Sequence, residues 1–195
     1  MDKQQRNIIP KAGSDSRSEL INEADIIRSA KKRLENFRPL YEKYHRRILQ
    51  YVLIKVNDHI TANEITSNVF YKAMCNIGKY EIRKTSFYNW LVKIAFNESM
   101  IYFRTTKKEQ WIYMDDSFYD TILIDDKSEN KEDLINDLER SLQSLKPKEV
   151  ELIGLRYYQK MSYEEVAFVL NISVNNAKVK MHRIMNKLRK EMVKS

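Results

Sequence analysis

The sequence predicts an all-α protein, built as two small helical domains joined by an acidic linker. Three observations carry this. The 195 residues include only three Gly and three Pro against 43% hydrophobic residues, so turn formers are few and core material is ample. Apolar residues recur at helical spacing over residues 18–108 and again from 138 onward. Charge falls into blocks: residues 1–108 hold 21 Lys/Arg against 11 Asp/Glu, residues 109–137 hold 2 against 10, and residues 138–195 hold 12 against 6. Two basic blocks around an acidic stretch suggest two modules that face a polyanion, and a plain solvated basic surface explains the segregation less well.

Residues 1–17 begin MDKQQRNIIPKAGSDS, a polar stretch expected to be a disordered tail. It lacks the apolar core of a signal peptide, and no run in the chain reaches membrane-span length. A first helical stripe is Leu20, Ile21, Ala24 and Ile27, continuing through Lys31-Lys32-Arg33. A second helix starts near Phe37, with Pro39 tolerable in its first turn. It aligns Leu40, Tyr44, Ile48, Tyr51, Val52 and Val56, and Asn57-Asp58 ends it. A third runs from about Ala62 to Ile77, with Ile65, Val69, Phe70, Ala73 and Met74 inward and Gly78 as its stop.

The short basic loop KYEIRKTS leads into a fourth helix, FYNWLVKIAFNESMIYFRTTKK. Phe87, Trp90, Leu91, Ile94, Ala95 and Ile101 form its expected core stripe. Tyr88, Asn97, Arg104, Lys107 and Lys108 are left for outward contact. Trp90 reads as a core anchor rather than a stacking platform. Aromatic and basic residues around an exposed loop are nevertheless what single-stranded DNA binding uses, through base stacking and phosphate neutralisation.

Residues 109–137 are acidic with scattered apolar residues and no sustained helical period. They read as an extended linker, either an ordinary connector or a strand-mimicking segment that occupies a basic channel in a partner. Cys75 is the single cysteine, which excludes a disulfide framework and fits a reducing cytoplasm. Its apolar neighbours suggest a buried structural thiol. His45, His59 and His182 are too scattered to assemble a metal site, and no nucleotide-binding glycine loop or nucleophile motif occurs. The chain therefore reads as neither an enzyme nor a cofactor carrier.

The second domain, residues 138–195, starts a helix at Pro147 that runs from about Lys148 to Tyr158. In MSYEEVAFVL, Ser162 can cap a short helix, with Glu165 completing a capping box. Val166, Ala167 and Leu170 supply its core stripe. Asn171-Ile172-Ser173 makes a tight turn, with Asn171 able to turn left-handed and Ser173 able to cap the next helix. That helix lies in NISVNNAKVKMHRIMNKLRK. Wound at about 100° per residue, it gathers Val174, Ala177, Met181, Ile184, Met185 and Leu188 on one side. Asn175, Asn176, Val179, Arg183 and Asn186 gather on the other, with His182, Lys180 and Lys187 at the borders. Three readings compete: a solvated basic face, a membrane-surface helix, or a reader of DNA edges. The membrane reading wants Trp, Phe or Leu on the apolar side, where Met, Ile and Ala stand. Asn and Arg are the side chains that pair bidentately with adenine and guanine. Short helix, tight turn and longer basic helix follow helix-turn-helix grammar, in a winged-helix-like domain.

Four blocks now stand in order: LYEKYHRRILQYV, ANEITSNVFYKAM, SFYNWLVKIAFN and LKPKEVELIGLRYYQKMSYEEVAFVLNISVNNAKVKMHRI. Together they resemble the extracytoplasmic-function sigma factors of bacterial RNA polymerase, in the sigma-70 family. The resemblance implies that residues 18–108 are sigma region 2 and residues 138–195 are sigma region 4. It implies a cytoplasmic, nucleoid-associated promoter-specificity subunit without catalysis or cofactor. Such a subunit binds the clamp and flap of core polymerase, recognises promoter DNA, both double- and single-stranded, and promotes strand opening. It also implies an anti-sigma factor as a further partner.

Carried over by position, Glu64, Ile65, Ser67, Asn68 and Phe70 fall on the clamp-binding motif. Acidic and Gln residues are common in the family where Asn63, Ser67 and Asn68 stand here. Tyr80, Arg83, Lys84 and Ser86 fall on the loop that captures a flipped minus-ten base, with Asn97 and Arg104 on the helix that follows. Asn175, Asn176, Lys178, Val179, Lys180, His182 and Arg183 fall on the helix that reads the minus-thirty-five element, with Asn175-Asn176 in place of the usual Gly-Thr. Two alternatives remain at this level: a helix-turn-helix regulator that acts without polymerase, and an interaction module whose basic faces meet an acidic protein.

Overall fold

The computed structural model of the chain describes residues 16–82, 84–106, 138, 140–142 and 144–192. The expectations for most of the tail, for the acidic linker, and for Arg83, Lys107 and Lys108 lie outside the described residues. The helices are α1 (Ser16–Lys32), α2 (Arg38–Val56), α3 (His59–Asn76), α4 (Phe87–Thr106), α5 (Pro147–Ile153), α6 (Tyr163–Leu170) and α7 (Val174–Met192). Among the described residues all regular structure is helical, so no strand pair flanks α7 to make a wing.

Compactness divides the chain at Lys43 and Tyr44 rather than at the acidic stretch. In the first unit α1 packs on a 3-10 turn, Leu34–Phe37. Asn36 donates to the Ser29 hydroxyl at 2.8 Å, and Lys43 pairs with Glu23 at 2.7 Å. Ile27, Ala30, Phe37 and Leu40 are buried.

In the second unit α2 runs on through buried Tyr44, Ile48, Tyr51 and Val52. It stops where Asn57 turns left-handed at φ 48°. Asp58 then caps α3 by accepting from the Thr61 amide at 2.8 Å, which starts α3 three residues before the expected Ala62. α3 does not end on a left-handed glycine. It tightens into a 3-10 turn, Ile77–Lys79, and a side chain at Gly78 would meet nothing within 4 Å. α4 packs against α3, burying Phe87, Leu91, Val92 and Ala95. Ile101, expected inside, is exposed, and Ser99 is buried instead.

The C-terminal part follows local chemistry closely. Pro147 opens α5, which loosens into a π-helical turn, Gly154–Tyr158. Ser162 and Glu165 form the expected capping box on α6, and Asn171 ends it at φ 54°. The Ser173 hydroxyl accepts from the Asn176 amide at 3.2 Å and caps α7. Ala177, Met181, Ile184 and Leu188 are buried, which is the expected phase of α7.

Candidate nucleic-acid interface

The face of α7 opposite its buried stripe is open. Asn175, Asn176, Lys178, Val179, Lys180, His182 and Arg183 are all exposed. No carboxylate occurs on α7 before Glu191, while Lys178, Lys180, Arg183, Lys187, Arg189 and Lys190 are cationic. A uniformly positive helix face repels itself mildly and attracts phosphate strongly. Asn186 and the His182 ring lie 3.0 Å apart, which steadies the imidazole on this face. Lys178 reaches back toward the Tyr163 ring of α6, 5.9 Å from its centroid.

The loop before α4 is built from the inside. Tyr80 is buried, its ring 5.2 Å from those of Phe87 and Trp90, and its hydroxyl donates to the Thr85 carbonyl at 2.7 Å. The ring is therefore an anchor for the loop and offers no free face for stacking. Trp90 belongs to the same cluster, as the core reading expects. Ser86 accepts from the Asn89 amide at 3.1 Å and caps α4. Lys84 is exposed and makes only a surface pair with Glu81 at 3.2 Å. Asn97 and Arg104, seven residues apart and so on one side of α4, are both exposed.

The expected clamp motif on α3 divides in two. Ile65 and Phe70 are buried and hold α3 in the core, with Phe70 5.9 Å from the His45 ring. Glu64, Ser67 and Asn68 are exposed. Beside them stand Ile60, 74% exposed, and Tyr71, 64% exposed. Sequence reading missed both. Their signal was an apolar residue out of phase with the core stripe. Cys75, expected inside, is exposed, because the core phase of α3 passes through Ala73 and turns residue 75 outward.

Tyr88 is also placed differently from expectation. It is buried, stacked at 6.0 Å on Tyr44 and covered by the Arg47 guanidinium at 3.7 Å. Burial pushes its hydroxyl pKa up, with Arg47 opposing. The hydroxyl donates to Gln159 at 2.7 Å. The adjacent Asn89 donates to Glu165 at 2.7 Å, and one turn further on Lys93 lies 4.4 Å from the Phe168 ring centroid. Burial lowers the pKa of Lys93. Deeper, Tyr51 and Lys55 of α2 both bind the Glu151 carboxylate of α5. Among the described residues no group of His, Cys, Asp and Glu could hold a metal ion, and no helix is long and apolar enough to cross a membrane.

Comparison with known proteins agrees with this arrangement. Residues 40–109 match the family described as sigma-70 region 2, and residues 135–188 match sigma-70, region 4. The RNA polymerase sigma factor YlaC of Bacillus subtilis is 26% identical over 167 residues, covering 84% of this chain and 96% of that protein. The ECF RNA polymerase sigma factor SigW of the same organism is 26% identical over 168 residues, covering 80% and 88%. The fold is similar to that of the sigma factor RpoE of Bartonella quintana, solved in complex with the anti-sigma factor NepR. There the TM-score is 0.56 and the identity 16%, over 81% of this chain and 97% of that one. It is similar too to CnrH, solved with the cytosolic domain of CnrY, with a TM-score of 0.56, 17% identity, and 85% and 93% covered. With both regions matched in order and relatives of this kind aligned along nearly their whole length, the chain belongs to the sigma-70 family, among the extracytoplasmic-function sigma factors.

Proposed function

We propose that this chain is a promoter-specificity subunit that binds core RNA polymerase and directs it to DNA. The observation that carries the reading is the α7 face, seven exposed residues long and free of carboxylate, set on a capped helix-turn-helix. In this reading Asn175, Asn176, Val179 and Arg183 meet base edges in the major groove of the minus-thirty-five element. Lys178, Lys180 and His182 meet phosphates beside it. Asn97, Arg104, Lys84, Ser86 and Arg83 meet the minus-ten element and its opened strand, with Tyr80 holding their loop in shape.

Residues 18–108 and 138–195 then act as the two promoter-reading modules, joined by the acidic residues 109–137. The outer face of α3, with Ile60, Glu64, Ser67, Asn68 and Tyr71, meets the polymerase clamp. The second module leans on the flap. The protein makes and breaks no covalent bond; it lends the polymerase a choice of promoter, in the cytoplasm where the polymerase works. An anti-sigma factor, such as the NepR bound to the Bartonella quintana neighbour, is a partner of the same reading.

The test is reconstitution with core polymerase and transcription from a randomised promoter pool. Enrichment of paired upstream and downstream motifs is expected. Duplex binding with no affinity for core polymerase would instead leave a stand-alone helix-turn-helix regulator.

A further inference from the structure

α1 and the 3-10 turn after it have no part in the contacts proposed above, and they precede residue 40, where the match to sigma-70 region 2 begins. The charge around them is uneven. Residues 28–43 hold six Lys/Arg against two Asp/Glu. Three of those cations are paired within the same unit: Arg28 with Asp25, Arg38 with Glu42 at 2.6 Å, and Lys43 with Glu23 at 2.7 Å. The other three, Lys31, Lys32 and Arg33, are consecutive and exposed. Among the described residues neither Lys32 nor Arg33 pairs with a carboxylate. Glu35, in the turn, offsets one of the three charges.

The backbone that carries this corner is fully bonded. Arg33 is extended, at φ −143° and ψ 119°, so the chain leaves α1 after Lys32 and turns before Leu34. Its amide still donates to the Ser29 carbonyl at 3.0 Å, and its carbonyl accepts from the Asn36 amide at 3.1 Å. The Asn36 side chain returns to the Ser29 hydroxyl at 2.8 Å. Phe37, 2% exposed, pins the turn to the core of the unit. A backbone fixed in advance spares the ordering cost that a loose charged loop meets on binding.

Helix electrostatics explains part of the cluster. Lys31 and Lys32 lie in the last turn of α1, where cations offset the partial negative charge of the free carbonyls. Arg33 lies beyond the helix, and that field fades within the last turn. Leu34, 53% exposed at the tip, gains nothing from it. Three adjacent cations on a bonded backbone suit a row of phosphates, and duplex DNA presents about one charge per 1.7 Å of axis. Single-strand binding uses aromatic platforms, whereas the tip residue here is Leu. A leucine among cations fits sugar carbons while the charged groups beside it reach phosphate oxygens.

We infer that Lys31, Lys32 and Arg33, with Leu34 at their tip, form a third DNA contact, an anchor on the duplex backbone that flanks the promoter elements. The anchor positions the protein and reads no base. It goes beyond the promoter-specificity reading and needs only that the chain meets DNA.

The experiment uses the full chain as wild type, as Lys31→Gln with Lys32→Gln and Arg33→Gln, as Arg33→Gln alone, and as Arg28→Gln, which changes a paired cation of the same helix. Affinity of the polymerase-bound protein for a promoter fragment with long duplex flanks is measured from about 50 to about 200 mM salt. The triple variant is expected to make the slope of log affinity against log salt shallower by about 2–3, Arg33→Gln by about 1, and Arg28→Gln by much less. Hydroxyl-radical footprinting should lose a short patch of backbone protection in the duplex flank. The motifs enriched from a randomised promoter pool should stay those of wild type. Circular dichroism checks the fold, and Arg33→Gln, outside the helix, decides the matter if the triple variant is unfolded. An unchanged slope and footprint in folded variants overturns the anchor and leaves the cations to the end of α1. Equal effects of Arg28→Gln and Arg33→Gln overturn it too, because they report net charge alone. So does weakened binding to core polymerase without DNA, which assigns the corner to an acidic protein surface, or a loss confined to fragments with an opened strand. If wild type binds no polymerase, the sigma-factor reading falls, and the slopes of the chain alone on duplex DNA decide the anchor by the same comparison.

Discussion

The hydroxyl of Tyr80 donates to the carbonyl of Thr85 at 2.7 Å and closes the loop before α4 on itself. Tyr80→Phe removes that bond alone and should cost about 1 kcal/mol of stability. Tyr80→Ala removes a buried ring and should cost about 3–5 kcal/mol. If Tyr80 holds the loop, Tyr80→Phe retains promoter melting, read by permanganate footprinting at a temperature where both proteins are folded. A melting defect in Tyr80→Phe with normal stability would return the residue to direct DNA contact.

On α7, Val179 is an apolar side chain in a polar, exposed face. Val179→Ser should change stability by less than about 0.5 kcal/mol, since the side chain is exposed. It should relax selectivity at one thymine, whose methyl group it is proposed to touch. Arg183→Ala should lose about 1–3 kcal/mol at a single base position if it reads guanine, or weaken all sequences evenly with a shallower salt slope if it holds phosphate. Binding to every single-base variant of the upstream element separates these outcomes.

The α3 face offers a clean contrast. Ile65→Ala should cost about 2–5 kcal/mol of stability, because Ile65 is core. Ile60→Ala and Tyr71→Ala should leave stability within about 0.5 kcal/mol, yet Tyr71→Ala should weaken core-polymerase binding by about 2 kcal/mol. Asn68→Glu should tighten the same binding. Equal effects of Ile65→Ala and Tyr71→Ala on thermal stability would place Tyr71 inside.

Burial lowers the pKa of Lys55 from its ordinary 10.5, with Glu151 opposing, and burial raises that of Tyr51 well above 10.0. The signs differ in consequence. Between the lowered Lys55 value and 10.5 the unfolded chain binds the extra proton, so stability rises with pH. Above about 10 the unfolded chain releases the Tyr51 proton that the folded chain keeps, so stability falls. Chemical denaturation of wild type against Lys55→Met, from pH 7 to 11, should show a steeper rising limb in wild type, the remainder in the variant coming from Lys93, whose pKa burial also lowers. A rising limb of unchanged slope after the substitution would assign it away from Lys55.

Much of this was legible from short-range chemistry. Ser162 with Glu165, left-handed Asn171, Pro147 and the phase of α7 all act within a few residues, and sequence spacing reports such effects directly. The exposed basic face of α7 followed from that phase. Other features depend on residues far along the chain. Nothing near Lys55 announces Glu151, 96 positions away, and nothing near Tyr88 announces Tyr44, Arg47 and Gln159, which together bury it. Cys75 and Ile101 were misplaced for a related reason. An apolar neighbourhood in sequence does not say which side of a helix finds a partner.

The π-helical turn sets a rule for the length of the chain as well as its shape. Its backbone bond runs from the Gln159 amide to the Gly154 carbonyl at 2.9 Å, so the turn holds one residue more than an α-helical one. Deleting a residue there would let α5 continue as an ordinary helix, at no cost in regular hydrogen bonds. Everything beyond would then rotate by about 100°. Gln159 would swing away from Tyr88, and Arg156 would lose the Met161 carbonyl it now holds at 2.8 Å. A one-residue deletion at this turn should thus be silent in helix content and ruinous for the aim of the helix-turn-helix.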